Sequence, residues 1–181
     1  MAVNLSAASC DEHALTRGEA ALMQCLEHSM AELRPVHPVS LLDLSPRGDT
    51  GLAMAMALRH ERRKIRIMTY EWLAPKHRER RPGVPDVLVE RGRLPGLHFS
   101  TGSFDYLVGL GVLSAVRPEA CCKLLMELRR IAMRRVILIE ETEGYSGIRE
   151  GELKDLLLES GCAEGRIDVS DVSQNVLCLM L

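Results

Sequence analysis

The residues with the most evident chemistry lie in one strand-turn-helix unit. Residues 39–42 form a short apolar run that Asp43 closes, which predicts a strand buried on both faces of a sheet. Turn formers follow at 45–48, and a helix is predicted from Gly51, capped by Asp49 or Thr50. Open α/β sheets bind ligands outside the carboxyl ends of their strands, and a helix N-terminus offers N–H groups to an anion. The unit therefore predicts a ligand site, although the same pattern also builds ordinary sheets.

Length and composition indicate one globular domain. The chain has 181 residues, of which 46% are hydrophobic and 27% charged, and this length allows a substantial core. The formal net charge of −2 gives no overall field that would favour nucleic acid. Neither a signal peptide nor a transmembrane segment is predicted.

The charges are unevenly distributed along the chain. Residues 59–93 carry eleven Lys and Arg against five Asp and Glu, whereas residues 140–171 carry three against ten. Two solvated faces are the simplest interpretation. The alternative is a basic and an acidic edge that favour self-association into a homo-oligomer or the binding of a protein partner.

The six cysteines do not indicate a disulfide framework or a metal site. No CxxC pair occurs, and the adjacent Cys121 and Cys122 fall on a predicted helix. Free thiols suit a reducing cytoplasm, which is the predicted location. Cys25 and His28 share a helix face but supply only two ligands, so no metal is predicted.

Strands and helices alternate along the chain. Strands are predicted over 39–43, 65–69, 104–113, 136–139, 166–169 and 175–181, and residues 86–90 suit either a strand or a short helix. Helices are predicted over 11–33, from 51, over 117–132 and over 152–160. This order predicts an α/β fold with a single open, mostly parallel sheet, helices on both faces and a closing antiparallel strand.

From residue 39 to residue 181 the pattern resembles a class I S-adenosylmethionine (SAM)-dependent methyltransferase. The most specific segments are Gly92-Arg93-Leu94-Pro95 and the run from Gly102-Ser103-Phe104-Asp105 to Val112-Leu113, followed by the helix with Glu127 to Arg130 and the strand over 136–139. The resemblance implies a single domain over 1–181, with an N-terminal helix at 11–34 and a Rossmann-like core at 39–181.

The resemblance also implies a SAM site. Asp43 matches the acidic residue near the methionine moiety, and Glu71 matches the acidic residue whose two oxygens suit the ribose hydroxyls. Trp72, Arg93 and Leu94 fall where the family contacts adenine, and Gly109 and Leu110 fall beside the reacting methyl group. The implied cofactor-binding residues are Asp43, Ser45, Arg47, Gly48, Gly51, Glu71, Trp72, Arg93, Leu94, Gly109 and Leu110.

The glycine-rich turn of the family is altered in this chain. Ser45 replaces the first glycine and adds a Cβ where the backbone approaches the ligand, and Pro46 offers no N–H. Arg47 either binds the methionine carboxylate or fills the pocket. After the fourth strand, Gly109-Leu110-Gly111 replaces the Asp/Asn-Pro-Pro-Tyr motif, which argues against methylation of an exocyclic base nitrogen.

Two functions follow from the resemblance. The first is methyl transfer from SAM to a small-molecule acceptor, which depends mainly on positioning the reactants. No catalytic residue is assigned, and His98, Glu141 and Tyr145 are the polar residues expected nearest a substrate. The second is a non-catalytic methyltransferase-like module that binds a protein partner. A hydride-transferring dinucleotide enzyme is less favoured, because it leaves the closing strand and the Gly-Ser-Phe-Asp segment unexplained.

Overall fold

The computed structural model describes residues 16–31, 33, 38–46, 65–73, 87–141, 150–161, 166–168 and 176–181. The helices within these ranges are α1 (Arg17–Ala31), α2 (Pro118–Ile131) and α3 (Glu150–Glu159). The strands are β1 (Val39–Asp43), β2 (Ile65–Glu71), β3 (Val87–Arg91), β4 (Phe104–Leu110), β5 (Ala132–Glu141), β6 (Arg166–Asp168) and β7 (Val176–Met180). The helix predicted from Gly51 lies outside the described residues.

The strands form one sheet in the order β3-β2-β1-β4-β5-β7-β6. Strands β1 to β5 pair in parallel, which confirms the predicted mostly parallel α/β sheet. Strand β7 runs antiparallel to both β5 and β6. The chain leaves β1 for β2 on one side, whereas β4 flanks β1 on the other, so the strand order reverses between β1 and β4.

Each face of the sheet has its own hydrophobic core. Helix α1 covers one face with a stripe of buried side chains, of which Leu22, Leu26 and Met30 are fully buried. Helices α2 and α3 cover the other face, where Leu124, Leu128 and Leu153 pack against the sheet. Successive residues of β4 point to opposite faces, so this strand contributes to both cores.

A capping box determines where α1 begins. The Thr16 hydroxyl accepts the backbone N–H of Glu19 at 3.3 Å, and the Glu19 carboxylate accepts the backbone N–H of Thr16 at 2.8 Å. These reciprocal bonds satisfy two helix-terminal donors. The described helix therefore starts at Arg17, and residues 11–15 of the predicted helix lie outside the described residues. The capping pair is visible in the sequence as Thr-x-x-Glu.

Two predicted strand boundaries are wrong. Strand β4 ends at Leu110 instead of residue 113, because Gly111 adopts a left-handed conformation (φ +68°) and the chain turns away. Strand β5 begins at Ala132 instead of residue 136, because α2 leads into it without a loop. The ambiguous segment at 86–90 is strand β3, which pairs in parallel with β2.

The Asp105 carboxylate ties three strands together. It accepts the backbone N–H of Ser40 at 3.0 Å, the Ser40 hydroxyl at 2.8 Å and Nε of Arg134 at 3.1 Å. Burial raises the pKa of this group, but the hydrogen bonds from Ser40 and Arg134 outweigh it and the pKa is lowered overall. The charged form of Asp105 is therefore favoured in the folded protein.

Replacing Asp105 with asparagine is expected to lower the free energy of unfolding at pH 7 by about 2 kcal/mol, because hydrogen bonds to a charged acceptor are lost. Since the folded pKa is lower than the unfolded one, this stabilisation is complete above the ordinary aspartate pKa of about 3.9 and is lost as the pH falls through the folded pKa. Urea unfolding between pH 3 and pH 7 measures the difference. The exposed Asp155→Asn is the control, and an equal effect of both substitutions would contradict the role of Asp105.

Candidate functional site

The candidate site is the crevice at the carboxyl ends of β1 and β4. The order of the strands reverses between these two neighbours, and such a point leaves a crevice that is the usual ligand site of an open α/β sheet. The described residues that border it come from the ends of β1, β2 and β4. Of the predicted cofactor residues, Arg47, Gly48 and Gly51 lie outside the described part of the chain.

Asp43 lies at the end of β1 and is fully buried. Its Oδ1 accepts the backbone N–H of Ser45 at 2.9 Å, an Asx turn that ends the strand. The backbone N–H of Leu44 donates to the Val108 carbonyl at 2.9 Å, which is the last contact of the β1–β4 ladder. The sequence therefore correctly placed a carboxylate at this strand end.

Ser45 links the ends of β1 and β4. Its side-chain Oγ accepts the backbone N–H of Leu110 at 3.0 Å, and Ser45 itself is buried. Three predicted cofactor residues are thus brought together, since Asp43, Ser45 and Leu110 are joined by two hydrogen bonds. The serine that departs from the family pattern has a defined structural partner.

Glu71 ends β2, next to β1. Thr69 pairs with Asp43 in register, so Glu71 lies two residues beyond the buried aspartate on the neighbouring strand. Its side chain is 15% exposed and accepts Nε of Arg91, itself 76% exposed, at 3.1 Å. An ion pair with so exposed a partner is weak and can be exchanged.

Trp72 turns back towards β1. Its indole Nε1 donates to the Leu44 carbonyl at 2.8 Å, and the ring packs against the core on the α2 side of the sheet. The tryptophan thus lies at the carboxyl end of β1, beside Ser45. Its predicted contact with adenine stays a prediction.

The segment that follows β3 is fixed by helix α2 and by packing against the core. Arg93 is exposed, while Leu94 is half-buried against the core. Arg130 on α2 donates to the carbonyls of Phe99 at 2.8 Å and Leu97 at 3.3 Å. A fixed loop with an exposed arginine and a half-buried leucine thus follows the edge strand.

Gly109 is a position of close approach. A Cβ there would lie 2.3 Å from Cγ2 of Val112 and 3.3 Å from Cδ2 of Leu138. The missing side chain therefore lets the turn after β4 fold back onto the strand. This turn follows the carboxyl end of β4, at the edge of the sheet where the candidate site lies.

Glu140 is the residue that the sequence reasoning missed. It lies fully buried near the end of β5, where Oε1 accepts the backbone N–H of Leu113 at 2.8 Å. Its Oε2 accepts the Ser114 backbone N–H at 3.1 Å and the Ser114 hydroxyl at 2.7 Å. Burial raises its pKa, while the donors at 112–114 oppose the shift. Glu140 therefore fixes the turn after β4, and the available signal was an acidic residue closing a fully apolar run.

The described residues offer no metal site, and the buried Cys121 thiol is poorly suited to act as a nucleophile. Burial, followed by the nearby Glu140 carboxylate, raises the pKa of Cys121 to about 11, so this thiol stays protonated near neutral pH. Within the described ranges, no group of three His, Cys, Asp or Glu could hold a metal ion. None of the described helices is long and apolar enough to cross a membrane. His98 is an exposed loop residue, and the side chains of Glu141 and Tyr145 lie outside the description.

No protein-family model and no curated protein matches the sequence. Solved structures do match. Magnesium protoporphyrin IX methyltransferase from Synechocystis with bound SAM shares 14% identity over 91% of this chain and 78% of its own, with a TM-score of 0.60. The 1,6-didemethyltoxoflavin-N1-methyltransferase of Burkholderia thailandensis, with 1,6-didemethyltoxoflavin and S-adenosylhomocysteine (SAH) bound, shares 16% identity over 94% of this chain and 78% of its own, with a TM-score of 0.61.

A third match comes from a complex that contains the Haloferax volcanii Trm112 methyltransferase activator. It shares 13% identity over 90% of both chains, with a TM-score of 0.56. At identities this low, the matches show a shared fold and nothing beyond it. Together with the strand order and the reversal between β1 and β4, they show that the chain has a class I methyltransferase-like fold.

Proposed function

We propose that the chain binds SAM at the crevice between β1 and β4 and transfers its methyl group to a small-molecule acceptor. The observation that carries this proposal is the pair of carboxylates at the carboxyl ends of adjacent strands. Asp43 is fully buried, and Glu71 is only 15% exposed although it ends a strand. Buried acidic groups at this edge are costly unless they serve structure or ligand.

The described residues fit the chemistry of SAM. The two ribose hydroxyls of the cofactor are donors that suit a carboxylate. The Glu71 carboxylate, which accepts Nε of Arg91, offers about four lone-pair positions in all. The exposed Arg91 also leaves Glu71 at little cost when a ligand competes.

The bound cofactor would supply an electrophilic methyl group, and the chain would supply binding and alignment. In this proposal Glu71 holds the ribose, and the fixed turn after β4 positions the reacting centre. Alignment alone accounts for large rate enhancements, so the absence of an assigned catalytic residue is compatible with activity.

The small-molecule acceptor is supported by the structural matches. The Synechocystis and Burkholderia enzymes are named for methylation of magnesium protoporphyrin IX and 1,6-didemethyltoxoflavin. Both matches span most of this chain.

A non-catalytic, partner-binding module is the second candidate. It is favoured by the hydrogen bond from the Leu110 N–H to Ser45 Oγ, because this internal bond occupies a backbone donor beside the candidate site. The match to a complex that contains a methyltransferase activator adds a protein-bound example of this fold. This candidate predicts no heat on titration with SAM or SAH.

Replacing Glu71 with glutamine is expected to weaken SAM and SAH binding by at least about tenfold, because a charged acceptor for the ribose hydroxyls is lost. Isothermal titration calorimetry of the wild type and the variant measures the ratio. The matched control is Glu90→Gln, which removes an exposed carboxylate from the adjacent strand β3 and should leave both affinities unchanged. Wild-type protein that binds neither ligand would overturn the proposal, and equal losses in both variants would point to a general charge effect.

A further inference from the structure

The Ser45 hydroxyl supplies β4 with a hydrogen-bond acceptor that the backbone of β1 does not provide. Strand β1 pairs with β4 only as far as Asp43 and Val108, and Leu44 N–H then reaches the Val108 carbonyl. The next N–H of β4 that points towards β1 belongs to Leu110. It has no partner in the β1 ladder, and Ser45 Oγ accepts it at 3.0 Å.

The direction of the Leu110 N–H follows from its neighbour. The Gly111 N–H donates to the Ile139 carbonyl of β5 at 2.8 Å. Successive N–H groups of an extended chain point to opposite sides, so that of Leu110 points towards β1 and the crevice. Ser45 therefore caps a donor that would otherwise face a ligand at the point where the strand order reverses.

Leu110 has little room to move away from this bond. The first turn of α1 lies directly above it, and a Cβ on Gly18 would stand 2.5 Å from Leu110 Cδ1. On the other side of Ser45, the Leu44 carbonyl is taken by the Trp72 indole. The strand ends are thus held close together by α1, Ser45 and Trp72.

We infer that Ser45 sets the affinity of this site, because its hydroxyl competes with the cofactor for the Leu110 N–H. This inference rests on the proposed function. A ligand acceptor that reaches Leu110 must displace Ser45 Oγ, so part of the binding free energy is lost in breaking an internal hydrogen bond. Without the hydroxyl, this partly buried N–H lacks its acceptor within the protein until a ligand supplies one.

The test is titration with SAH of the wild type, Ser45→Ala and Ser45→Gly. Both substitutions are expected to tighten SAH binding about fivefold to tenfold, the ratio that one neutral hydrogen bond provides. The matched control is Ser160→Ala, which removes another buried, hydrogen-bonded hydroxyl at the end of α3 and should leave the affinity unchanged. The glycine variant also restores the residue type of the family pattern.

A second readout needs no ligand. Amide hydrogen exchange at Leu110 is expected to be slow in the wild type and in Ser160→Ala, and about tenfold faster or more in Ser45→Ala. Unchanged exchange in Ser45→Ala would overturn the inference, since the bond would then not protect this N–H.

The titration outcomes separate the inference from the proposed function. Tighter binding by the Ser45 variants than by the wild type supports the inference. Binding by the variants alone supports the role of the Ser45 hydroxyl and overturns the proposed function for the native chain. Wild-type binding without any gain in the variants overturns the inference and leaves the proposed function standing. Absence of binding by every protein overturns both.

Discussion

Replacing Glu140 with alanine is expected to lower the free energy of unfolding by about 3 kcal/mol. The substitution leaves the backbone N–H groups of Leu113 and Ser114 without their acceptor inside the protein, and each buried unsatisfied donor costs about 1–3 kcal/mol. Chemical denaturation monitored by circular dichroism measures the loss. The control is Glu119→Ala, because Glu119 is an exposed carboxylate in the first turn of α2.

Glu140→Gln separates the hydrogen bonds from the charge. The glutamine retains one acceptor oxygen for the Leu113 N–H, so its loss of stability should be smaller than that of alanine. Equal losses for Glu140→Ala, Glu140→Gln and Glu119→Ala would refute the idea that this carboxylate fixes the turn after β4. A turn that loosens should also weaken SAH binding, since it lies at the carboxyl end of β4 beside the candidate site.

The pH dependence of the Glu140 contribution has a definite sign. Burial raises its folded-state pKa above the ordinary glutamate value of about 4.3, so the folded protein binds the proton more tightly than the unfolded chain. Its contribution to stability is therefore greatest below that value and declines as the pH rises through the folded pKa. Glu140→Gln should lack this decline.

Gly92→Ala is expected to destabilise the protein by about 2–3 kcal/mol. A Cβ at this position would stand 1.7 Å from the Tyr70 hydroxyl oxygen and 2.5 Å from Cζ, distances that real structures do not tolerate. Tyr70 is buried and its ring packs edge-on against Phe99, so it cannot move aside without disturbing the core. Overpacking of this kind costs about 1–3 kcal/mol, and the midpoint of thermal or urea unfolding reports it.

Two further variants test this explanation. Gly151→Ala adds a Cβ in open space within α3 and should be neutral or slightly stabilising. The double variant Gly92→Ala/Tyr70→Phe removes the nearest clashing atom and should recover part of the loss. If Gly92→Ala alone is as stable as the wild type, the explanation that Tyr70 leaves no room for a Cβ at position 92 is wrong.

The sequence predicted the sheet well because its strands are short, apolar and separated by turn formers. It placed β1, the parallel arrangement and the carboxylates at the ends of β1 and β2. It could not locate the end of β4, because the turn that begins at the left-handed Gly111 is held by Glu140, 27 residues away from Leu113. Local periodicity carries no information about such a partner.

The candidate site was only partly visible in the sequence for the same reason. Asp43 is recognisable from its place after an apolar run. The role of Ser45 depends on Leu110, 65 residues further on, and becomes apparent only once the register of β1 and β4 is known. The sequence therefore suggested that Ser45 disrupts a turn, whereas in the structure its side chain links two strands.

The direct passage from α2 into β5 has a mechanical consequence. Helix α2 ends at Ile131 and the strand begins at Ala132, so no slack chain separates them. Strand β5 is paired with β4 on one side and with β7 on the other, so the end of the helix is anchored in the middle of the sheet. The same strand carries Glu140, which binds the turn after β4, so helix α2 and this turn are joined by one continuous extended segment about 25 Å long at the rise of an extended strand.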